Sequence, residues 1–434
     1  MMNAKEYIEN MKTIQQRLLD FIENEDDKEE NYENILEIIT DQKILENQHD
    51  LKTLLYLITK IANNHHQQPH FFTKIEKILT NFKDEMKKFY SNWEIFKIFK
   101  RNKRILLFLI EEKIITIDKS IFNRMLEEKY RSEKYIEYFL PEVKSFIKSE
   151  MKNKSKTEEL TEDIEDVYDL ILKIPDEEID EFNEKRKNGQ NDGYIYKLIQ
   201  NDSIEEFIVY INQKDYSIEN YVIPSIFETN PFLLKNKRPT LIEYATFYGS
   251  NQIFKFLHNN EIELSDTLWI YAIHGDNAEV IHLLDENDIQ PPELSYEKCI
   301  NESIKCHHNH IFNYIANNFL YDNYTNDEIY ELIDFENDFD DNIVSNSFRY
   351  YNFLFFPNEI DEIKTSVFGY ACEYDYFSLA KILFNTGKIN INARIGKAVL
   401  IFNEIFEIQK KNFFLMTFEM NFFFNEILIH YFCF

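Results

Sequence analysis

Apolar residues in the first part of the chain recur at three- and four-residue steps. Tyr7, Met11, Ile14, Leu18 and Ile22 share one stripe, which predicts an amphipathic helix. The polar run Glu23–Glu30 interrupts it, Ile35, Ile38 and Ile39 restart it, and Leu51, Leu54, Leu55 and Ile58 carry it to the loop Asn63–Pro69. A further helix is predicted from Phe72 through Ile75, Ile78, Leu79 and Phe82. Ile105–Ile117 is short and apolar enough for a buried helix, and Phe139-Leu-Pro141 marks a turn. Residues 1–156 therefore read as a helical N-terminal domain. Residues 157–187 read as an acidic connecting helix or linker, closed by the turn Asn188-Gly-Gln-Asn-Asp-Gly193.

Beyond that turn the periodicity repeats at a larger scale. Thr240–Leu257 and Thr267–Leu284 carry one pattern at an offset of 27, with Ala245 matching Ala272 and Ile253 matching Val280. Weaker copies place Ile199, Ser303 and Ala371 at the small-residue position, and Ser347–Phe355 fills the remaining gap by spacing alone. A repeat of this size cannot bury its own apolar face and must stack on neighbours. Thr at the start is placed to cap helix one, and Gly249 sits where a left-handed residue ends it.

Thr-Leu-x-x-Tyr-Ala-x-x-x-Gly-x-x-x-Ile-x-x-x-Leu resembles the ankyrin repeat, and Gly387–Arg394 resembles its inter-repeat turn. Leu241 and Leu268 replace the usual Pro, Glu243 and Ile270 the usual His, and spacings of 27, 31 and 46 depart from the usual period of about 33. The chain looks like a divergent, protist-type ankyrin family over residues 188–397. The resemblance implies an all-α fold in which a degenerate ankyrin-type α-solenoid follows the N-terminal domain. It also implies a concave partner-binding face lined by helix one and the inter-repeat fingers. Phe247, Tyr248 and His274 fall near that face, and Glu243 and Ile270 are counted with them as candidate contacts. Packing between repeats is the competing reading of the aromatics.

Charge sharpens the division. Residues 1–156 hold 28 Lys+Arg against 27 Asp+Glu, leaving 20 against 50 in the remainder of a chain whose net charge is −29. The acidic part repels nucleic acid and anionic membrane and favours a basic protein partner. Cys299, Cys306, Cys372 and Cys433 make no CxxC pair, which fits a reducing compartment. No apolar leader and no long uncharged span is found, so a cytoplasmic location without a transmembrane span is expected. Residues 398–434 form a Phe-rich tail with neither repeat marks nor a polar cap, as in a truncated array or a shifted reading frame. A transcript that encodes this tail in one continuous frame would remove the second explanation.

Candidate chemistry is sparse. Cys299, Cys306, His307, His308 and His310 are metal-type residues, but paired ligand arms are missing and ordinary core and turn roles account for them. No metal and no cofactor is expected. Lys83–Arg104 interleaves eight basic residues with Phe89, Tyr90, Trp93, Phe96 and Phe99, which suits either a nucleic-acid or anionic-membrane adaptor or an amphipathic helix with solvated lysines. Phosphate loops, GxGxxG, HExxH and GxSxG are absent. The expected function is a non-enzymatic interaction scaffold.

Overall fold

A computed structural model describes residues 2–24, 29–65, 70–127, 134–153, 179–236, 238–320, 338–356 and 365–386. Among these residues the fold is all-helical, with a single isolated antiparallel bridge between Tyr221 and Thr240. Asn10–Phe356 form one compact unit, and Met1–Glu9 with Pro357–Phe434 form another. The expected boundaries at 156/157 and 187/188 both fall inside the first unit. The expected linker lies mostly, and the Phe-rich tail wholly, outside the described residues.

Among the described residues the N-terminal part supplies α1 (Ala4–Glu23), α2 (Glu29–Asp41), α3 (Gln48–Ala62), α4 (Phe71–Asn81), α5 (Lys83–Phe89), α6 (Asn92–Phe99), α7 (Lys103–Glu111), α8 (Lys119–Met125), α9 (Tyr135–Tyr138) and α10 (Leu140–Asn153). Their predicted stripes are buried apart from the half-buried Ile38 and Phe72, and Leu51, Leu54, Leu55 and Ile58 of α3 lose all solvent contact. Side chains set several boundaries. Asn47, Asn102 and Asp118 each accept a backbone N–H at a helix start, and Ser91 makes a reciprocal capping box with Glu94. Those caps divide Lys83–Arg104 among three helices, where the sequence suggests one. Leu140 begins α10, so Pro141 stands in a first turn, where its missing N–H costs nothing.

The second part opens with α11 (Ile179–Asn188) and continues as helix pairs: α12 (Tyr194–Gln200) with α13 (Ile204–Lys214), α15 (Leu241–Tyr248) with α16 (Asn251–Asn259), α17 (Thr267–His274) with α18 (Ala278–Glu286), and α19 (Glu297–Cys306) with α20 (Asn309–Ile315). The short α14 (Pro231–Lys235) precedes α15. First helices pack in series, α12 on α15, α15 on α17, α17 on α19 and α19 on α21 (Asp338–Tyr350). A single 3-10 turn, Phe353–Phe355, comes after α21 where a second helix is expected. In the other unit α22 (Thr365–Glu373) pairs with α23 (Phe377–Asn385), burying Ala371, Leu379, Ala380 and Leu383.

One turn joins every first helix to the segment after it. Asp202, Gly249, Asp276, His307, Tyr351 and Asp375 all have positive φ, between 49° and 69°. The next residue donates its N–H to the carbonyl five positions back, at Leu198, Ala245, Ala272, Ser303, Ser347 and Ala371, over 2.8–3.1 Å. Ser347–Asn352 thus shares the repeat's turn. Ile199, expected at the small-residue position of the first copy, is displaced by Leu198. Gly275 is not the left-handed residue of its turn; Asp276 is. A Cβ on Gly275 would lie 2.5 Å from the Phe247 carbonyl oxygen, so glycine is required there by the approach of the preceding repeat.

A second regularity ties repeats together. The side chains of Ser250, Asn277, His308 and Asn352 donate to the carbonyls of Ile199, Thr246, Ile273 and Ile304 respectively, each one residue beyond the turn's acceptor in the preceding repeat. Each of these carbonyls also accepts the backbone N–H three residues on, from Asp202, Gly249, Asp276 and His307, so the side chain fills its second acceptor position. Asp202 adds a variant, accepting Gln252 and Ile253 N–H groups at the start of α16, where a carboxylate also suits the helix dipole. Thr240 caps α15 in a capping box with Glu243, as its place in the pattern suggests. Thr267 does not cap; it donates to Glu243 Oε1 at 2.6 Å, one repeat back.

Candidate functional site

A polar cluster forms where the ends of α17 and α19 meet the end of α3. Helical spacing puts Glu302 and Cys306, four residues apart on α19, on one face. His274 closes α17 and points at that face from the neighbouring repeat. Its Nε2 lies 2.8 Å from Glu302 Oε2 and its Nδ1 3.3 Å from Cys306 Sγ. Lys305 Nζ lies 2.5 Å from Glu302 Oε2 and 3.5 Å from His274 Nε2. The imidazole stacks on Phe232 of α14 at 3.7 Å between ring centroids, which fixes its plane. One donor atom each from His274, Glu302 and Cys306 lies within 4.8 Å of the other two.

Burial sets the chemistry. It pushes the Cys306 thiol well above its ordinary range and brings His274 down to about 4. Burial also opposes ionisation of Glu302, but the hydrogen bond from His274 and the Lys305 charge outweigh it and hold the carboxyl low. The resting cluster is therefore a neutral thiol, a neutral imidazole and a carboxylate paired with an ammonium. A thiol that is fully buried and raised is a poor nucleophile.

Loops at the end of α3 close the cluster. Asn64 donates to the Lys305 carbonyl at 3.2 Å, and its Oδ1 lies 3.7 Å from Cys306 Sγ. His65 Nε2 donates to the Cys306 carbonyl at 2.9 Å, leaving Nδ1 as an acceptor 3.4 Å from Glu23 Oε1. Burial, with Asp276 nearby, raises Glu23 to about 7, which suits a protonated carboxyl facing that nitrogen. Asp276 pairs with His310 at 2.8 Å, and His310 outweighs desolvation to bring the carboxyl down to about 2. Further along the same seam Gln15 bonds His307, Asn352 and the Phe353 N–H, while Lys103 reaches the Ile226 carbonyl and Arg104 the Lys187 carbonyl.

The five candidate contact residues fare differently from expectation. Phe247 and His274 are buried against Phe232 and are not surface anchors, because α14 fills the space beside the ends of α15 and α17. Tyr248 is half-buried against Tyr244 and Phe247. Glu243 is held by Thr240 and Thr267, and Ile270 packs against the core. The Cys/His run also separates: His308 belongs to the inter-repeat ladder and His307 bonds the Tyr350 carbonyl. Cys306 instead joins His274 and Glu302, a grouping the spacing from 299 to 310 hides. Its only trace in the sequence is the i, i+4 placement of Glu302 and Cys306.

In the basic-aromatic segment Phe96 and Phe99 are buried, as are Lys103 and Arg104. Arg104 pairs with Glu76 at 2.5 Å and Lys83 with Glu112 at 3.1 Å. The segment therefore lacks the run of exposed rings on which bases stack. No helix among the described residues is long and apolar enough to cross a membrane. A scan against protein-family models, a search of curated proteins and a search of solved structures each return no match.

Proposed function

We propose that the chain is a non-enzymatic interaction scaffold of ankyrin-like kind, which captures a partner protein on the loops between its helix pairs. The observation that carries this reading is the composition of those loops. Asp215, Glu219, Glu261, Glu263, Asp266, Glu286, Asp288 and Glu293 are exposed in the stretches 215–220, 259–266 and 286–296, which contain no Lys or Arg. Large apolar side chains stand beside them: Ile223 is 68% exposed and Leu294 80% exposed. Glu293 and Leu294 both hold positive φ, an uncommon conformation for Leu. Exposed apolar side chains in an acidic field suit a basic segment that carries an apolar anchor.

The test compares the full chain with Leu294→Asp and with a triple reversal, Glu261→Lys, Glu263→Lys and Glu293→Lys, as baits in affinity capture from the native cell. Both variants should keep the wild-type helical circular dichroism. A specific partner should be retained by the wild type, lost from both variants, and released by salt. Equal retention by all three baits refutes the loop-surface reading.

A further inference from the structure

We propose that His307 is an acid-sensitive latch: its neutral imidazole holds α1 against α19 and α21, and its protonation releases that contact. The hydrogen bonds around the ring leave one tautomer. Phe353 N–H donates to Gln15 Oε1 at 2.7 Å, which turns the Gln15 amide nitrogen toward Asn352 Oδ1 at 2.8 Å and His307 Nδ1 at 3.2 Å. Asn352 is fixed in turn, since its Nδ2 donates to the Ile304 carbonyl and to Asn309 Oδ1. His307 Nε2 lies 2.9 Å from the Tyr350 carbonyl and is the donor there. Nδ1 is therefore a bare acceptor, and a proton on it would face the Gln15 amide N–H. Gln15, His307 and Asn352 are each 3% exposed or less, so bulk water does not replace a bond broken among them.

No negative charge stands beside His307 to receive that proton. The groups whose charge acts on it are His308 at the start of α20 and Lys60 of α3, both of which disfavour a cation. No carboxylate is within ion-pair reach of it among the described residues. Lys60 lies over the Tyr350 and Tyr351 rings, at 5.4 and 5.9 Å. The other imidazole contact across the seam is better compensated. His65 and His308 meet edge-on at 4.7 Å, but Glu23 stands 3.4 Å from His65, and Asp276 4.0 Å from His308. Glu23, raised to about 7, takes up a proton with the seam closed and so opposes acid release. The latch is accordingly assigned to His307.

Burial, with His308 and Lys60 adding to it, brings His307 down to about 4 from an ordinary 6.5. The closed form thus binds fewer protons than the open one. The contribution of His307 to closure is full above pH 6.5 and is lost as pH falls toward 4. Its share of the opening constant rises about 20-fold from pH 7 to pH 5.

Hydrogen exchange of the full chain, read by mass spectrometry at pH 7 and pH 5 and normalised to intrinsic rates, tests this. His307→Asn places a residue that tolerates positive φ and offers an uncharged acceptor at both pH values. Gln15→Glu keeps the oxygen for Phe353 N–H and sets a carboxylate against Nδ1. On acidification, exchange in residues 10–23 and 347–356 should rise about 20-fold more in the wild type than in His307→Asn. Gln15→Glu should abolish that excess, and α16 and α18 should stay protected in all three proteins. An equal rise in wild type and His307→Asn, an undiminished rise in Gln15→Glu, or matching exchange in α16 and α18 overturns the latch.

Discussion

Glu228 offers a stability prediction that isolates one buried charge. It is 6% exposed, and its Oε1 accepts the Asn230 N–H at 2.8 Å while Oε2 has no hydrogen-bond partner. Burial raises its carboxyl from 4.5 to about 7, against the pull of the backbone N–H groups and of Lys103. An acid whose folded pKa is raised binds more protons when native than when unfolded. Stability therefore falls as pH rises from about 4.5 to about 7 and is level outside that window. The full swing is about 3 kcal/mol, at about 1.36 kcal/mol per pKa unit. Glu228→Gln keeps the oxygen that accepts Asn230 and removes the ionisation. Its added N–H sits where Oε2 was unpartnered, at a cost of about 1 kcal/mol, so a net gain of about 2 kcal/mol is expected at pH 8. Urea unfolding of both proteins at pH 5, 6, 7 and 8, monitored by circular dichroism, gives the difference directly, since groups common to both cancel. Parallel stability profiles across that range would refute the assignment.

Three further outcomes rest on the repeat geometry. Phe232→Ala removes the ring between Phe247, Tyr271 and His274 and should cost about 3–5 kcal/mol in urea unfolding. Gly275→Ala drives a Cβ into the Phe247 carbonyl and should destabilise by more than Gly249→Ala. The Gly249 site has open space and only the left-handed penalty of about 1–2 kcal/mol, which melting temperatures of the two variants would separate. Thr240→Ala breaks the capping box of α15 and should cost about 1 kcal/mol by the same measurement, whereas Thr267→Ala removes one bridge to Glu243 and should cost less.

The chain by itself determined what is local. Apolar periodicity located α1, α3, α4 and α7, because a stripe at three- and four-residue steps needs no knowledge of its partner. The Thr240–Leu284 pair revealed the repeat, and Gly249 marked a left-handed turn, because glycine is the residue that enters αL without strain. One signal was silent and another misled, for physical reasons. Gly275 is fixed by contact with another repeat, while Asp276, Asp202, His307 and Tyr351 occupy αL without advertising it. The aromatics of helix one looked like groove anchors because the sequence does not show that α14 folds back over them.

Only the tertiary structure decided which groups meet across segments. The ladder of Ser250, Asn277, His308 and Asn352 uses three residue types to satisfy one carbonyl position, so no single-letter pattern records it. Turn acceptors Leu198, Ala245, Ala272, Ser303 and Ser347 are 47, 27, 31 and 44 residues apart, because connecting loops absorb length while the stacked helices keep their register. His274, Glu302 and Cys306 converge for the same reason: two lie on one helix face, and the third arrives from the repeat before it.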